Sequence, residues 1–213
     1  MKPLSDCRLY AFVDTAYLKG RAPSEIAREL CDGGADIIQL RAKDAPVGEI
    51  QKMAEAILPI CLAAGVRLVI NDHVEIATAI GAPFCHLGQE DFFEAGHKHV
   101  NEFGQTLQIG LSSHAPAQAE RAVAAGAAYI AIGPVYATGT KPTARPVTLE
   151  YVRWAAAKVT IPWFAIGGIN LTNLDDVLGA GARRVCVVSA ILNAPDVAEA
   201  CQAFRKRLIS VPL

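Results

Sequence analysis

The sequence lacks an excess of charge of either sign. Twenty lysines and arginines stand against 21 aspartates and glutamates, which leaves a formal net charge of -1 at pH 7. Proteins that bind nucleic acid or an anionic membrane usually present a basic face, and this balance supports neither partner. Any positive charge that an anionic substrate needs must therefore be gathered locally in the fold.

Long apolar runs and paired cysteines are also missing. No uninterrupted apolar run approaches the ~18 residues of a membrane-spanning helix, and the N-terminal MKPLSDCRLYAF lacks the apolar stretch of a signal peptide. The six cysteines include no CxxC pair. A chain of 213 residues that is 52% hydrophobic can bury a large core and does not need disulfide bonds to stabilise its fold. We therefore expect a cytoplasmic protein with one large core and with neither a membrane nor a nucleic-acid partner.

One short pattern recurs four times: Gly-Ala, two further residues, then a short apolar run. The copies are GGADIIQL, IGAPFCHL, AGAAYIAI and AGARRVCVV, at residues 33–40, 80–87, 125–132 and 180–188. Each copy follows a stretch with helical spacing, so we expect the glycine to end a helix in the left-handed conformation and the apolar run to form a buried strand. The pattern predicts four helix-to-strand junctions.

Four more apolar runs lie between these junctions and bring the candidate strands to eight: LYAFV, RLVI, LQIGL and PWFAI, at residues 9–13, 67–70, 107–111 and 162–166. Roughly 27 residues per strand–helix unit is short but sufficient for a (β/α)8 barrel. An open, doubly wound sheet is the main alternative, because alternation by itself does not close a barrel. No linker divides the chain, so we predict a single TIM-barrel domain over residues 1–213.

Polar side chains follow the predicted strands, whereas the starts of the same strands mostly lack such polar groups. The carboxyl ends of parallel barrel strands meet at one rim, which carries the chemistry of barrel enzymes. After strands 2 to 6 come Gln39, Arg41, Lys43, Asn71, Asp72, His86, Gln89, Glu90, Asp91, Ser112, Ser113, His114, Thr138, Thr140 and Lys141. The sequences IGGIN and VVSAI follow strands 7 and 8. We expect the functional site at this rim.

The cations of this rim suit a phosphorylated substrate. Gln39, Arg41 and Lys43 alternate along an extended segment, so their side chains should point to one side. Two cations and an amide on one side fit a phosphate or pyrophosphate group. The strand 6 residues that could close over the same anion are Thr138, Thr140 and Lys141.

Two further features of the rim complement a phosphorylated ligand. Asp72 and Asp91 offer hard oxygen ligands, and Mg2+ is typically held by one or two carboxylates together with substrate phosphate oxygens. The backbone N–H groups of residues 167–169 and 189–191, with the hydroxyl of Ser189, lie where many barrels bind a monophosphate. The sequence therefore indicates two separate anion sites and a magnesium site.

The charged residues of the rim also have ordinary structural interpretations. Arg41 and Lys43 could pair with Asp44 or Glu49 on the surface, where ion pairs contribute little. In the same way, Asp72 and Asp91 could cap the helices that follow them, and the threonines could stabilise a turn. Each interpretation is reasonable alone, but all of them holding along one rim is much less so.

The histidines divide into two groups. His86 lies within the strand 4 run and is better interpreted as a hydrogen-bonded core residue than as a metal ligand. His114 follows a strand end and is the histidine best placed for acid–base chemistry. No pair of histidines has the spacing of zinc ligands.

Seven segments of the chain resemble the motifs of the thiamine phosphate synthase family, in the same order and at the same spacing: IQLRAK, VINDHVEIA, HLGQED, IGLSSH, GPVYATGTK, AIGGIN and VVSAI. The resemblance runs from about residue 8 to about residue 207. It implies a (β/α)8 barrel that joins 4-amino-5-hydroxymethyl-2-methylpyrimidine pyrophosphate to hydroxyethyl-thiazole phosphate or its carboxylate. The products would be thiamine phosphate and pyrophosphate, formed after dissociative loss of the pyrophosphate group.

The resemblance also implies a role for each matching residue. The pyrimidine pyrophosphate would be held by Gln39, Arg41, Lys43, Asn71, Ser112 and Lys141, of which Arg41, Lys43 and Lys141 would be catalytic. Mg2+ would be ligated by Asp72 and Asp91. The thiazole phosphate would contact Thr138, Thr140, Gly168, Val188 and Ser189. The chain departs from the family at Thr148, where the family usually has a glycine.

Other functions share parts of this pattern. A thiazole tautomerase-like isomerase would use His114 as acid or base but would have no pyrophosphate to bind, and a phosphosugar epimerase or isomerase would leave the strand 2 cations without a task. A non-catalytic thiamine-precursor-binding protein would carry much the same residues. The joint presence of Arg41, Lys43, Asp91 and Lys141 favours the synthase. A homo-oligomer is compatible with the sequence, which does not fix the oligomeric state.

Overall fold

Strand β1 pairs with strand β8 and closes a parallel barrel, in which each of the eight strands lies beside its neighbours in chain order. The computed structural model describes residues 1–139 and 145–212. The strands are β1 Leu9–Asp14, β2 Ile37–Arg41, β3 Arg67–Asn71, β4 Phe84–Leu87, β5 Gln108–Ser113, β6 Tyr129–Ile132, β7 Trp163–Ile166 and β8 Val185–Cys186. The Leu9–Val185 and Tyr10–Cys186 partners rule out the open sheet, and the predicted (β/α)8 barrel is confirmed.

Helices cover the outside of the barrel. They are α1 Pro23–Asp32, α2 Val47–Ala64, α3 Val74–Ile80, α4 Pro116–Ala124, α5 Thr148–Lys158, α6 Leu174–Gly179, α7 Ser189–Leu192 and α8 Val197–Ile209. Short 3-10 turns occupy Leu4–Asp6, Thr15–Tyr17 and Val100–Phe103. Within the described ranges, no helix is both long enough and apolar enough to cross a membrane.

The connection from β4 to β5 differs from the regular alternation that the sequence predicts. A π-helical turn, Glu90–Glu94, and the 3-10 turn Val100–Phe103 stand where the other units have an α-helix. Gly96 and Gly104 follow these turns with φ of +97° and +96°. Glycine with positive φ is common where a helical turn ends, and each of the two turns stops shortly before one of these glycines.

The glycines of the repeated pattern have the predicted conformation. Gly34, Gly81, Gly126 and Gly181 have φ of +80°, +71°, +83° and +104°. Each lies between a helix and the strand that follows it, which is the left-handed position that a side chain disfavours. The four predicted junctions are confirmed.

Side chains alternate between two cores along each strand. On β1, Leu9, Ala11 and Val13 pack outward against the helices, while Tyr10 and Phe12 belong to a cluster inside the barrel. The inner cluster also contains Ile37, Val69, Phe84, Tyr129, Phe164 and Cys186. This period of two carries inward-facing positions up to the carboxyl ends of the strands, where the inner layer gives way to polar residues.

A buried carboxylate ties the amino-terminal face of the barrel together. Asp36 is 7% exposed and accepts hydrogen bonds from the backbone N–H groups of Arg8 at 2.6 Å and Leu9 at 3.1 Å. Its other oxygen lies 2.6 Å from Lys2 Nζ and 2.8 Å from Arg205 Nη1. Asp36 therefore joins the start of the chain, the start of β2 and helix α8 on the face opposite the predicted site.

Candidate active site

A cavity opens at the carboxyl end of the barrel, above the inner aromatic layer. The predicted site residues that line it are Gln39, Arg41, Lys43, Asn71, Asp72, Asp91, Ser112, Thr138, Gly168, Val188 and Ser189. They come from every strand end from β2 to β8. Thr140 and Lys141 lie outside the described residues. The tertiary structure thus gathers around one cavity all the predicted site residues within the described ranges.

Arg41 reaches the cavity from the end of β2 and is held by Asp14 at the end of β1. Its Nη1 donates to Asp14 Oδ2 at 2.9 Å, and the side chains of Arg41 and Asp14 are 14% and 1% exposed. Asp14 Oδ1 also accepts from the backbone N–H of Ala16 at 3.0 Å. The partner of Arg41 is therefore this buried carboxylate, rather than Asp44 or Glu49, and it fixes the guanidinium at the cavity wall.

Asp72 stands at the end of β3 in a strained backbone conformation. Its φ is +64°, which is uncommon for residues other than glycine and which is found at functional sites more often than elsewhere. Asn71 Nδ2 donates to Asp72 Oδ2 at 2.6 Å, and the Asp72 N–H donates to the carbonyl of His86 at 3.0 Å. These bonds direct the carboxylate toward the cavity, and helix α3 begins without a side-chain cap from it.

The carboxylates of Asp72 and Asp91 repel each other electrostatically. Burial raises the pKa of Asp72 above its ordinary value, and the charge of Asp91 raises it further. Lys43, the hydrogen bond from Asn71 and the neighbouring His73 act in the opposite direction without cancelling the rise. Two like charges that face one cavity are stabilised by any cation that lies between them.

A chain of hydrogen bonds crosses the barrel beneath the cavity. Gln39 Nε2 donates to the Tyr10 hydroxyl at 2.6 Å, and that hydroxyl lies 2.9 Å from the hydroxyl of Tyr129. His86 Nδ1 is 3.1 Å from the Tyr129 hydroxyl, and its Nε2 is 2.9 Å from Ser112 Oγ. His86 is therefore the hydrogen-bonded core residue that the sequence predicts. The chain links two predicted substrate-binding residues, Gln39 and Ser112.

The two tyrosines in this chain were not predicted as site residues. Burial raises the pKa of both phenols well above the ordinary value, so Tyr10 and Tyr129 keep their protons at neutral pH. The rings of the two residues meet edge to face, with centroids 5.8 Å apart. Their inward-facing positions on β1 and β6 were the available signal, but the sequence does not show that two strands so far apart meet inside the barrel.

Glycine at the end of β7 allows the β6 loop to approach. A side chain on Gly168 would come within 2.6 Å of the Ala137 carbonyl and 2.7 Å of Tyr136 Cβ, and its φ is +66°. The Tyr136 N–H donates to the carbonyl of Gly167 at 3.0 Å. The glycine pair is thus required to join the GPVYATG segment to β7, whatever ligand it also contacts.

His114 lines the same cavity and is held through its ring. Its Nδ1 donates to the carbonyl oxygen of Gly133, since a carbonyl can only accept. The apolar part of the lining is Phe12, Pro134, Ile166, Ile169 and Cys186. Among the described residues, cations and carboxylates thus occupy the β2–β4 side of the cavity, and uncharged residues occupy the β6–β8 side.

Comparisons with known proteins identify the family of this chain. Residues 9–191 match the family model described as thiamine monophosphate synthase. A thiamine-phosphate synthase of Thermus thermophilus is 44% identical over 180 residues, which cover 84% of this chain and 85% of the relative. One of Acidothermus cellulolyticus is 42% identical over 207 residues, 96% of each chain. The solved thiamine phosphate pyrophosphorylase of Pyrococcus furiosus superposes with a TM-score of 0.86 at 32% identity and covers 97% of this chain and 98% of its own.

Proposed function

The chain belongs to the thiamine monophosphate synthase family, and we propose that the cavity at its barrel mouth carries out the synthase reaction. It is an enzyme of thiamine biosynthesis that acts on phosphorylated small molecules. The substrates would be the pyrimidine pyrophosphate at the β2–β4 side of the cavity and the thiazole phosphate, or its carboxylate, at the β6–β8 side. The observation that supports this assignment is the division of the described cavity lining into a charged half and an uncharged half.

The charged half suits a departing pyrophosphate. Arg41 presents a guanidinium held by Asp14 and Lys43 an exposed ammonium, and both line the cavity. In the proposed step the bond from the pyrimidine methylene carbon to the pyrophosphate oxygen breaks, and its electron pair leaves with the pyrophosphate. Cations placed where negative charge develops lower the barrier to that step, and no side-chain nucleophile is needed.

The residues at this end of the cavity fit Mg2+. Asp72 and Asp91 are two carboxylates whose mutual repulsion raises the pKa of Asp72 beyond the effect of burial, and a divalent cation would relieve it. Among the described residues no group of three or more His, Cys, Asp and Glu side chains could hold a metal, so substrate oxygens would complete the coordination. Bound there, Mg2+ would neutralise charge on the pyrophosphate.

The uncharged half of the cavity, on the β6–β8 side, would hold the second substrate. Gly168, Val188 and Ser189 border it, with Thr138 on the facing loop. Anchoring a phosphate at this side would leave the thiazole nitrogen free to approach the methylene carbon, and its lone pair would form the new C–N bond. Fixing both partners in one cavity replaces a bimolecular encounter by an oriented one.

The test is an assay of pyrophosphate release by the purified protein. The pyrimidine pyrophosphate, the thiazole phosphate and Mg2+ are supplied together and then each is omitted in turn. We expect release to require all three. Lys43→Met should lower kcat/KM by about 100-fold, the cost of removing one group that stabilises developing charge. Lys52→Met, on the exposed face of α2, is the matched control and should leave the rate unchanged.

Three outcomes would overturn parts of the assignment. Binding of both precursors without pyrophosphate release would indicate a binding protein. Isomerisation of the thiazole with no release of pyrophosphate would indicate the tautomerase, with His114 as its acid or base. Equal rates for Lys43→Met and Lys52→Met would remove Lys43 from the catalytic machinery.

A further inference from the structure

A buried amide connects the segment after β4 to strand β5 and helix α4 near the mouth of the cavity. Gln89, which follows β4, is 7% exposed, and its Nε2 donates to the backbone carbonyl of Ser112 on β5 at 2.6 Å. Its Oε1 accepts from Arg121 Nη2 of helix α4 at 2.9 Å. Both ends of the amide are therefore used, and Gln89 can adopt only one orientation. We call this pair the Gln89–Arg121 clamp.

The guanidinium of the clamp also packs on the turn that follows. Arg121 Cζ lies 3.7 Å from the centroid of the Phe93 ring, a cation–π contact. The preceding residue, Phe92, is fully buried, and its ring meets Phe93 with centroids 4.7 Å apart. The π-helical turn Glu90–Glu94 is thus fastened to the outside of the barrel through its two aromatic residues, and π-helical turns are frequent at functional sites.

Asp91 is placed by these attachments. It stands between Gln89 and the aromatic pair, and its Oδ2 accepts from the N–H of Gly88 at 3.2 Å. A side chain on Gly88 would come within 2.8 Å of that oxygen and would displace the carboxylate. With residues on both sides of it fixed from outside the barrel, the carboxylate of Asp91 has a restricted set of positions at the cavity.

We propose that the Gln89–Arg121 clamp positions Asp91 and Ser112 for binding of the metal and the pyrophosphate group; this inference rests on the proposed function. Neither Gln89 nor Arg121 is among the described residues that line the cavity, so both are positioning residues and not catalytic ones. Such outer partners fix the orientation of the ligands that they support. The clamp contacts the end of β5 and the segment after β4, and within the described ranges it has no hydrogen bond to the β6–β8 side of the cavity.

A purely structural role for the clamp predicts a different result. Arg121 is an exposed residue, so its replacement leaves no cavity in the hydrophobic core. If the clamp only fastens α4 to the barrel, its loss would lower thermal stability and affect both substrates alike. If it positions Asp91, its loss would weaken metal and pyrophosphate binding selectively.

The experiment compares Arg121→Met with Arg153→Met, a control at an exposed arginine of α5. Binding of Mn2+ in the presence of inorganic pyrophosphate is measured by electron paramagnetic resonance, and steady-state constants are measured for both substrates. We expect Arg121→Met to weaken Mn2+ binding about 10- to 100-fold, the usual cost of losing an outer-shell partner. The KM for the thiazole phosphate and the melting temperature should stay close to those of Arg153→Met.

Two further variants keep the proposal testable if Arg121→Met does not fold. Arg121→Lys keeps the charge and should restore part of the Mn2+ affinity. Gln89→Glu keeps an acceptor for Arg121 but places a carboxylate oxygen against the Ser112 carbonyl, so it should weaken Mn2+ and pyrophosphate binding.

Unchanged Mn2+ affinity in the folded variants, or equal losses for both substrates with a lower melting temperature, would overturn the clamp proposal. Wild-type protein that binds no Mn2+ with pyrophosphate would instead overturn the proposed function.

Discussion

Arg41 and Asp14 are cross-strand partners in register on β1 and β2, and their side chains form an ion pair of 2.9 Å at the wall of the cavity. Asp14 is almost completely buried, whereas Arg41 retains contact with the cavity. A buried carboxylate facing a cavity arginine holds the guanidinium in one orientation and leaves its remaining donors for a ligand. Asp14 is therefore part of the site although it carries the same sign of charge as the substrate.

Asp14→Asn tests this relationship. The amide keeps the volume of the side chain but loses the charge that orients Arg41, so we expect kcat/KM for the pyrimidine pyrophosphate to fall about 10-fold, or ~1.4 kcal/mol. The KM for the thiazole phosphate should not change. Asp32→Asn, at an exposed position of α1, is the control. Wild-type kinetics in Asp14→Asn would show that Arg41 needs no such partner.

Asp36 should make folding stability sensitive to acid. Burial by itself would raise the pKa of Asp36, but the bonds from Lys2, Arg8 N–H and Leu9 N–H outweigh it, and the pKa is lowered. A carboxyl whose pKa is lower in the folded protein than in the unfolded chain (~3.9) stabilises the folded state at pH values above the unfolded pKa. That contribution is lost as the pH falls through the folded pKa.

Asp36→Asn should accordingly lower the free energy of unfolding at pH 7 by about 1–3 kcal/mol. The difference from wild type should shrink as the pH is lowered toward 3, as measured by urea denaturation across that range. Asp44→Asn, which is exposed, is the control. A difference that is the same at both ends of the pH range would contradict the role of the ionised carboxyl.

Thr148 occupies the position where the family usually has glycine, and the structure shows why glycine fits there. Its φ is +63°, a left-handed conformation that is costly for a β-branched side chain. Thr148 Oγ1 accepts from the Glu150 N–H at 3.3 Å, which offsets part of that cost.

Thr148→Asn should raise the free energy of unfolding by about 1 kcal/mol, because asparagine tolerates this conformation and still offers an acceptor oxygen. Thr148→Ser keeps the hydroxyl and removes only the branch, so it should gain less. Chemical denaturation of the three proteins at pH 7 measures the difference. A less stable asparagine variant would contradict the proposed strain at Thr148.

Gly110 on β5 makes room for Tyr129. A side chain at this position would lie 2.5 Å from the tyrosine hydroxyl and closer still to the ring. Gly110→Ala should therefore destabilise the protein by about 1–3 kcal/mol, since the fully buried ring must shift in a packed core. The same shift should break the hydrogen-bond chain to His86 and Ser112 and raise the KM for the pyrimidine pyrophosphate. Gly48→Ala, where an added Cβ meets no atom within 4 Å, is the control.

An alanine variant at Gly110 as stable and as active as wild type would show that Tyr129 has freedom to move. A variant that loses stability but keeps its KM would separate the packing role of Gly110 from the hydrogen-bond chain.

The sequence by itself determined the local elements of this protein. The eight strands and the four junction glycines follow from apolar runs, helical spacing and the left-handed preference of glycine, which depend only on neighbouring residues. The common direction of Gln39 and Arg41 follows from the period of two along a strand. The motifs of the family also mark Thr148 as a departure, which the sequence shows by itself.

Only the tertiary structure decided which distant residues meet. Barrel closure, the pairing of Arg41 with Asp14, the contact of Tyr10 with Tyr129 119 positions away, and the Gln89–Arg121 clamp depend on how strands are staggered around the barrel. That stagger is set by the packing of the whole inner layer, and it produces no periodic pattern in the sequence of any single segment. Local patterns could therefore predict where the polar residues end up, but not which of them hold each other in place.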